Sequence, residues 1–252
     1  MFRLMLVAWL AAAPLQEIPP VPGEASPAGE VDAVSFHLLK YVDRVERDGT
    51  FVRTGDFQVR LRTEEGVAAF GQIGEVYLDG YGDVHFEDVL IEKVDGRRMA
   101  VADALEEDLT PVGVTTTSMP PDVRYKKIAI PGLEPGDRLS YRIVHRRKPL
   151  APGRAFGELK LAPATGAPKQ VYELDLPRDA GFKVRLRQGI GTEWEEVPSA
   201  PDRWVRRLSL TVASLDLSKK SKEEAERLAE PDVIFTSFDS WDEVAGWWWG
   251  IS

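Results

Sequence analysis

Alternation of apolar and polar residues constrains this chain more than any other feature. Phe57, Val59 and Leu61 alternate with Gln58, Arg60 and Arg62, Leu139, Tyr141 and Ile143 with Ser140 and Arg142, and Tyr172, Leu174 and Leu176 with Glu173 and Asp175. Phe182, Val184 and Leu186 alternate with Lys183, Arg185 and Arg187, and Leu208, Leu210 and Val212 with Arg207, Ser209 and Thr211. Successive side chains of a strand point to opposite faces, so each run reads as a strand with one buried face. Turn signals separate the runs. Asp48-Gly49 and Asp95-Gly96 suit tight hairpins that need positive φ, and Pro135-Gly136 suits a type II turn. Pro177 and Pro198 end strands, because proline has no N–H to give the ladder. Many short strands joined by turns, with few helices, predict an all-β fold, a large multi-stranded antiparallel β-sandwich.

Two helices are expected beyond the sandwich. Ser221 and Glu224 form a capping box for a short charged helix over residues 222–229. Ser240 and Glu243 form another at the start of a C-terminal tryptophan-rich helix. On a helix, Trp247, Trp248 and Trp249 lie about 100° apart, so no single stripe buries all three. A helix apolar on all sides belongs inside something larger, so the chain reads as the front part of a longer protein. At the other end, Arg3, the uncharged run from Leu4 to Ala13 and the small pair Ala11 and Ala13 have the order of a secretory signal. Five prolines then follow between Pro14 and Pro27. The expected division is a signal peptide (1–13), a Pro-rich leader (14–30), a β-sandwich domain (31–215), a short helix and connector (216–239) and the first helix of an unfinished core (240–252). Export to the periplasm or cell envelope follows from that signal.

Composition excludes several functions. A net charge of −9 argues against nucleic acid as a partner. The absence of cysteine removes disulfides, thiolate metal sites and a cysteine nucleophile from this chain. Asp83, His85 and Glu87 share one face of a strand, with Val84 and Phe86 on the other. That pattern reads as a solvent face, because three ligands on one flat strand rarely close a metal shell. His145 continues the Leu139-Tyr141-Ile143 parity and reads as a partly buried histidine at a sheet margin; no G-x-S-x-G motif offers it a serine to serve. Arg138, Arg142, Arg146, Arg147 and Lys148 form a basic cluster, from which Arg142, Arg146 and Arg147 are the candidate binding residues, for an anionic glycan or head group. The same charges would also protect an edge strand. Gly80-Tyr81-Gly82 and Gly189-Ile190-Gly191 are turns, and Trp194 and Trp204 read as core packing. No catalytic residue, metal ligand or cofactor is expected.

Three stretches carry a resemblance. They are Ala129-Ile130-Pro131-Gly132-Leu133-Glu134-Pro135-Gly136-Asp137-Arg138-Leu139-Ser140-Tyr141-Arg142, then Asp83-Val84-His85-Phe86-Glu87 with Val94-Asp95-Gly96, and Pro231 to Phe238 leading into Ser240–Trp247. Together, over about residues 31–250, they resemble the bacterial domain of unknown function found in front of a transglutaminase-like core. The resemblance implies an all-β N-terminal domain followed by a papain-like Cys-His-Asp core performing thiolate chemistry. No position of this chain corresponds to a catalytic residue of that core. The expected function is therefore a non-catalytic N-terminal module of an exported transglutaminase-like protein, positioning the core or binding substrate. Its expected partner is the downstream domain of the same polypeptide. The alternative is a stand-alone module binding a cell-envelope glycan or protein.

Overall fold

The computed structural model describes residues 33–101, 106–110, 122–149, 151–160, 170–186, 194–210 and 231–250, apart from the side chains of residue 210 and residues 247–250. The expected signal peptide and leader, the helix at 222–229, the Gly189-Ile190-Gly191 turn and the packing of Trp247, Trp248 and Trp249 lie outside the described residues. The elements in chain order are β1 (Val34–Val45), β2 (Phe51–Leu61), α1 (Glu64–Phe70), β3 (Gln72–Leu78), β4 (Gly82–Glu92), β5 (Arg98–Ala100), β6 (Glu106–Leu109) and β7 (Val123–Ala129). They continue with β8 (Arg138–Arg147), β9 (Phe156–Leu159), β10 (Gln170–Pro177), β11 (Lys183–Leu186), β12 (Glu195–Val197), β13 (Arg203–Leu210), β14 (Val233–Thr236) and α2 (Trp241–Gly250).

The strands build a β-sandwich. One layer is an eight-stranded sheet in the order β12-β13-β10-β1-β2-β8-β4-β5. Two three-stranded sheets, β3-β7-β6 and β11-β14-β9, form the other layer. The expected antiparallel pairing holds throughout the described ladders except between β1 and β10, which run parallel. The Asp48-Gly49 and Asp95-Gly96 turns join β1 to β2 and β4 to β5, with Gly49 and Gly96 at φ +89° and +85°.

Register sets which side chains face the second layer. Gln170, Leu39, Phe57 and Tyr141 stand side by side across β10, β1, β2 and β8. The next inward row is Tyr172, Tyr41, Gly55, Ile143 and Phe86, and the one after it is Leu174, Asp43, Arg53, His145 and Val84. Val45, Phe51, Arg147 and Gly82 form the row beyond. Two apolar cores lie on this face. The first gathers Phe36, Leu39, Val59, Leu61, Ile91, Leu139 and Ile143 beneath Phe70 of α1 and Ile128 of β7. The second gathers Val45, Phe51, Tyr172, Leu174, Leu176 and Leu208 against Leu159, Val233 and Phe235. Pro231 to Phe238 is extended, as expected of a connector, yet its β14 is the central strand of a small sheet with Val233 and Phe235 fully buried. The sandwich therefore continues through residues placed beyond its expected limit.

The opposite face of the large sheet is a lattice of cross-strand ion pairs. Glu173 meets Lys40 at 3.1 Å and Arg207 at 2.8 Å, and Arg203 meets Asp175 at 2.7 Å. These charges suit a wetted face, where each pair contributes little alone.

The stretch from Pro131 to Tyr141 has a structural explanation. Gly132 and Gly136 take φ values of +80° and +95°. The buried Asp137 carboxylate accepts from the Glu134 N–H at 2.8 Å and from Lys93 Nζ at 2.9 Å. Lys93 also donates to Gly132 O at 2.7 Å, and Gly136 N–H donates to Leu61 O at 2.6 Å. This turn thereby fastens β2 and β8 to the neighbouring β4–β5 hairpin. A Cβ on Gly136 would lie 2.7 Å from Val94 Cγ2. Gly136→Ala is expected to cost at least about 1–2 kcal/mol from the left-handed backbone alone, measured by urea unfolding. A variant as stable as the parent would remove the turn's claim to require glycine.

Candidate functional site

The third inward row carries charge where the alternation calls for apolar residues. Asp43 is wholly buried. Arg53 Nε and Nη2 donate to its two carboxylate oxygens at 2.7 Å each, and Tyr172 OH donates to Oδ2 at 2.8 Å. Arg53 Nη2 also donates to Glu158 O on β9 at 2.7 Å, linking the large sheet to the second small one. Burial opposes the Arg53 charge, but the Asp43 charge and hydrogen bonds outweigh it and hold the guanidinium above its ordinary pKa. Burial, then Asp43, raises the Tyr172 phenol well above its ordinary value. A bidentate guanidinium–carboxylate contact is among the stronger polar contacts available inside a protein.

A less saturated group lies beside this pair. Glu75 of β3 points inward between Ile73 and Tyr77, and its Oε2 is 3.6 Å from Nε2 of His145. Burial is the main cause that lowers His145 to about 3, with Arg147 and Arg53 adding to it. Burial also raises Glu75 to about 7, against the pull of Arg53 and Arg147. The two groups are thus polar neighbours rather than an ion pair. Protein surrounds the Glu75 carboxyl on most sides, yet the side chain keeps 38% of its exposure, against 15% for His145. Tyr41, raised to about 12, and Tyr141, also raised, both owe their shifts first to burial, and both feel Glu75. The Arg53 and Arg147 guanidinium carbons lie 5.5 and 5.3 Å from the centroid of the Phe51 ring, within cation–π range. Burial and then Arg53 lower the Arg147 pKa.

The strand separates the basic candidates. Arg142 and Arg146 project from the charged outer face, while Arg147 falls in the inward parity. Arg142 is engaged by Asp56 at 2.7 Å and Asp88 at 2.9 Å. Asp83, His85 and Glu87 share the outer face of β4, with Val84 buried behind them. Among the described residues no group of three His, Asp or Glu side chains is placed to hold a metal. His145 is part of the inward row, and Trp194 and Trp204 pack against the second core. Asp43, Arg53, Glu75, Tyr41 and Tyr141 were not singled out by sequence reasoning. The available signal was a charged residue at apolar parity, as Arg53 stands between Phe51 and Phe57 and Glu75 between Ile73 and Tyr77.

A family model described as a domain of unknown function with a solved structure, DUF3857, matches residues 47–211. The chain belongs to the DUF3857 family. The matched span holds β2 through β13 and therefore most of the inward rows. Among solved structures, a "putative protease" from Parabacteroides distasonis superposes with a TM-score of 0.67 at 13% identity, covering 84% of this chain and 41% of that one. The DUF3857 chain thus spans less than half of that protein, and the likeness shows the shared fold. An M1 zinc metallopeptidase from Deinococcus radiodurans reaches a TM-score of only 0.36 at 11% identity, covering 70% of this chain and 39% of that one, and carries no argument. No curated protein matches the sequence.

Arg53→Met leaves Asp43 buried without its cation and is expected to destabilise the DUF3857 domain by about 3–5 kcal/mol in urea unfolding; a loss below about 1 kcal/mol would deny the pair its structural role. The titrations of Glu75 and His145 have opposite consequences. Between pH about 3 and 6.5 the folded state holds His145 neutral while the unfolded chain protonates it, so acidification removes stability. Between pH 4.5 and about 7 the folded state keeps the Glu75 proton that the unfolded chain releases, so rising pH removes stability. The slopes oppose each other where the windows overlap. In Glu75→Gln the histidine contribution stands alone, and Tm is expected to climb more steeply from pH 4.5 to 6.5 than in the parent. Equal slopes would contradict this account.

Proposed function

We propose that this DUF3857 chain is the non-catalytic β-sandwich module of an exported transglutaminase-like protein, set before that protein's core to position it or to present substrate. The observation that carries the reading is the way α2 is fastened at its base. Ser240 Oγ accepts from the Glu243 N–H at 3.2 Å, and the Glu243 carboxylate accepts from the Asp239 N–H at 2.6 Å, so the expected capping box forms with its return bond shifted by one residue. Arg154 pairs with Glu243 and donates to Ser237 O at 2.7 Å, while Lys183 donates to Asp239 O at 2.8 Å. Ser237 Oγ in turn accepts from the Ala155 N–H at 2.9 Å. The helix root is therefore bound to β14, β11 and the residues entering β9. Yet Trp241, 77% exposed, lays its ring on the surface. A helix held so firmly, with a large apolar side chain left in water, suits a junction onto which further structure packs.

The 41% coverage of the Parabacteroides distasonis protein supports a module within something larger. The resemblance of the Pro131–Tyr141 and Ser240–Trp247 stretches supplies the kind of core. The second reading, a stand-alone module binding a cell-envelope glycan or protein, draws support from Arg147, an exposed cation with no carboxylate within 4 Å among the described residues. The reading frame beyond codon 252 separates the two. A cysteine, then a histidine, then an aspartate in a further domain is the expected result, and a stop codon directly after Ser252 would overturn the module reading.

A further inference from the structure

On the outer face of the large sheet the ion-pair lattice runs short of acids at one end. The row that crosses β1, β2, β8, β4 and β5 there is Ser35, Arg60, Arg138, Glu92 and Arg98. Glu92 is the one carboxylate in it, and it is shared: Arg98 Nη2 approaches it at 3.1 Å and Arg138 Nη1 at 3.4 Å. Arg62, two residues beyond Arg60 on β2, donates through Nε to Ser35 Oγ at 3.2 Å, which draws it toward the same row. Arg60 and Arg62 are exposed, and among the described residues neither has a carboxylate within 4 Å. The next outer row, Leu38, Gln58, Ser140 and Leu90, carries no charge.

His37 lies beside this patch. It is the extra residue of a bulge in β1, between Phe36 and Leu38, and a bulge re-aims the side chain it carries. Burial lowers the His37 pKa first, and Arg138, Arg60 and Arg62 lower it further. Three guanidinium groups from two strands therefore act on one exposed imidazole. Arg60 and Arg138 stand directly opposite each other across the β2–β8 ladder, where paired Cα atoms are about 4.5–5.5 Å apart. Like charges so placed repel each other. In a chain of net charge −9 this local excess of cations goes against the rest of the molecule, and a bound anion would relieve it.

We propose that Arg60, Arg62 and Arg138 bind the dianion of a phosphate monoester on this face, with Ser35 and His37 at its margin. Arg60 and Arg62 bring two uncompensated charges, which match the two charges of the ester. Neighbouring guanidinium forks offer donors from more than one direction, as suits a tetrahedral group with three terminal oxygens. A carboxylate would answer only one of the two charges. The uncharged row beside the arginines leaves room for the ester's carbon skeleton without a competing acid. The patch is open to water, so binding weakens as salt rises. This inference stands on the outer face alone and holds whether or not a further domain follows.

The test is an NMR titration of the full chain with glycerol 3-phosphate at about pH 7.5, where such an ester is mostly a dianion. It reads the His37 imidazole resonances, with His85 and His145 as internal controls outside the patch. The expected result is a saturable shift at His37 alone, weaker with acetate at equal ionic strength. Arg60→Gln and Arg62→Gln sit at exposed positions with no ion pair to break, and each should weaken binding several-fold. Arg185→Gln, which removes the same charge from an exposed site on β11 in the other layer, should leave the affinity unchanged. Glu92→Gln, which releases Arg138 and Arg98, should tighten binding. Vesicles containing phosphatidic acid carry the same group on a lipid. Vesicle binding that is lost in Arg60→Gln assigns the site to a lipid phosphate, and binding of the soluble ester alone assigns it to a free one. No saturable shift at His37, equal shifts at His85 and His145, acetate binding as tightly as the ester, an equal loss in Arg185→Gln, or unchanged affinity in Arg60→Gln and Arg62→Gln would overturn the proposal.

Discussion

The Asp43–Arg53 pair is the buried ionic knot on which four strands of this molecule converge. Two apolar cores share a single sheet face; the Tyr41 and Phe57 rings touch edge to face between them, and the row beyond places charge there. Arg53 closes that row by binding Asp43 on β1 and the Glu158 carbonyl on β9, while Tyr172 on β10 reaches the same carboxylate. Four strands thus meet at one buried charge pair. Burying both ions is costly, and their attraction alone would not repay it; the Tyr172 bond to Asp43 and the Arg53 bond to the Glu158 carbonyl add to it. Arg147, one row further along β8, has no carboxylate within 4 Å among the described residues and lies over the Phe51 ring instead.

The alternating runs made the sheet legible in the sequence. Phe57 to Leu61, Leu139 to Ile143, Tyr172 to Leu176 and Leu208 with Leu210 all lie in strands, and Val59, Leu61, Leu139, Ile143, Tyr172, Leu174, Leu176 and Leu208 face inward as the alternation indicates. The hairpin turns and the Ser240 cap were equally local, and local rules found them. Two features were not local. The parallel partnership of β1 with β10 joins segments that no spacing in the sequence connects. The β14 segment is short and follows a proline, so its four residues resemble a linker until their neighbours β9 and β11 are known.

The polar row was hidden for a related reason. His145 was visible because it extends a clear run, but Arg53, Asp43 and Glu75 interrupt theirs and so resemble the ends of pattern rather than parts of it. Charge at apolar parity has two outcomes in this fold. At Asp43 and Arg53 it is neutralised by pairing across adjacent strands. At Glu75 and Arg147 it is not: among the described residues neither has an ion pair beyond the 3.6 Å approach of His145 to Glu75.

The parallel β1–β10 pairing also has a consequence for the order of assembly. The first core draws its residues from Val34 to Ile143, so it can consolidate as soon as β8 has left the ribosome. The second core needs Tyr172, Leu208 and Phe235, the last of them about two hundred residues after β1 begins. Until β10 arrives the outer edge of β1 has no strand beside it. Contacts so distant in sequence close slowly, and an unpaired edge is open to wrong partners while it waits. During synthesis of a chain with this fold, β1 is therefore the strand whose free edge is open longest to wrong pairing, and β10 is the strand that closes it.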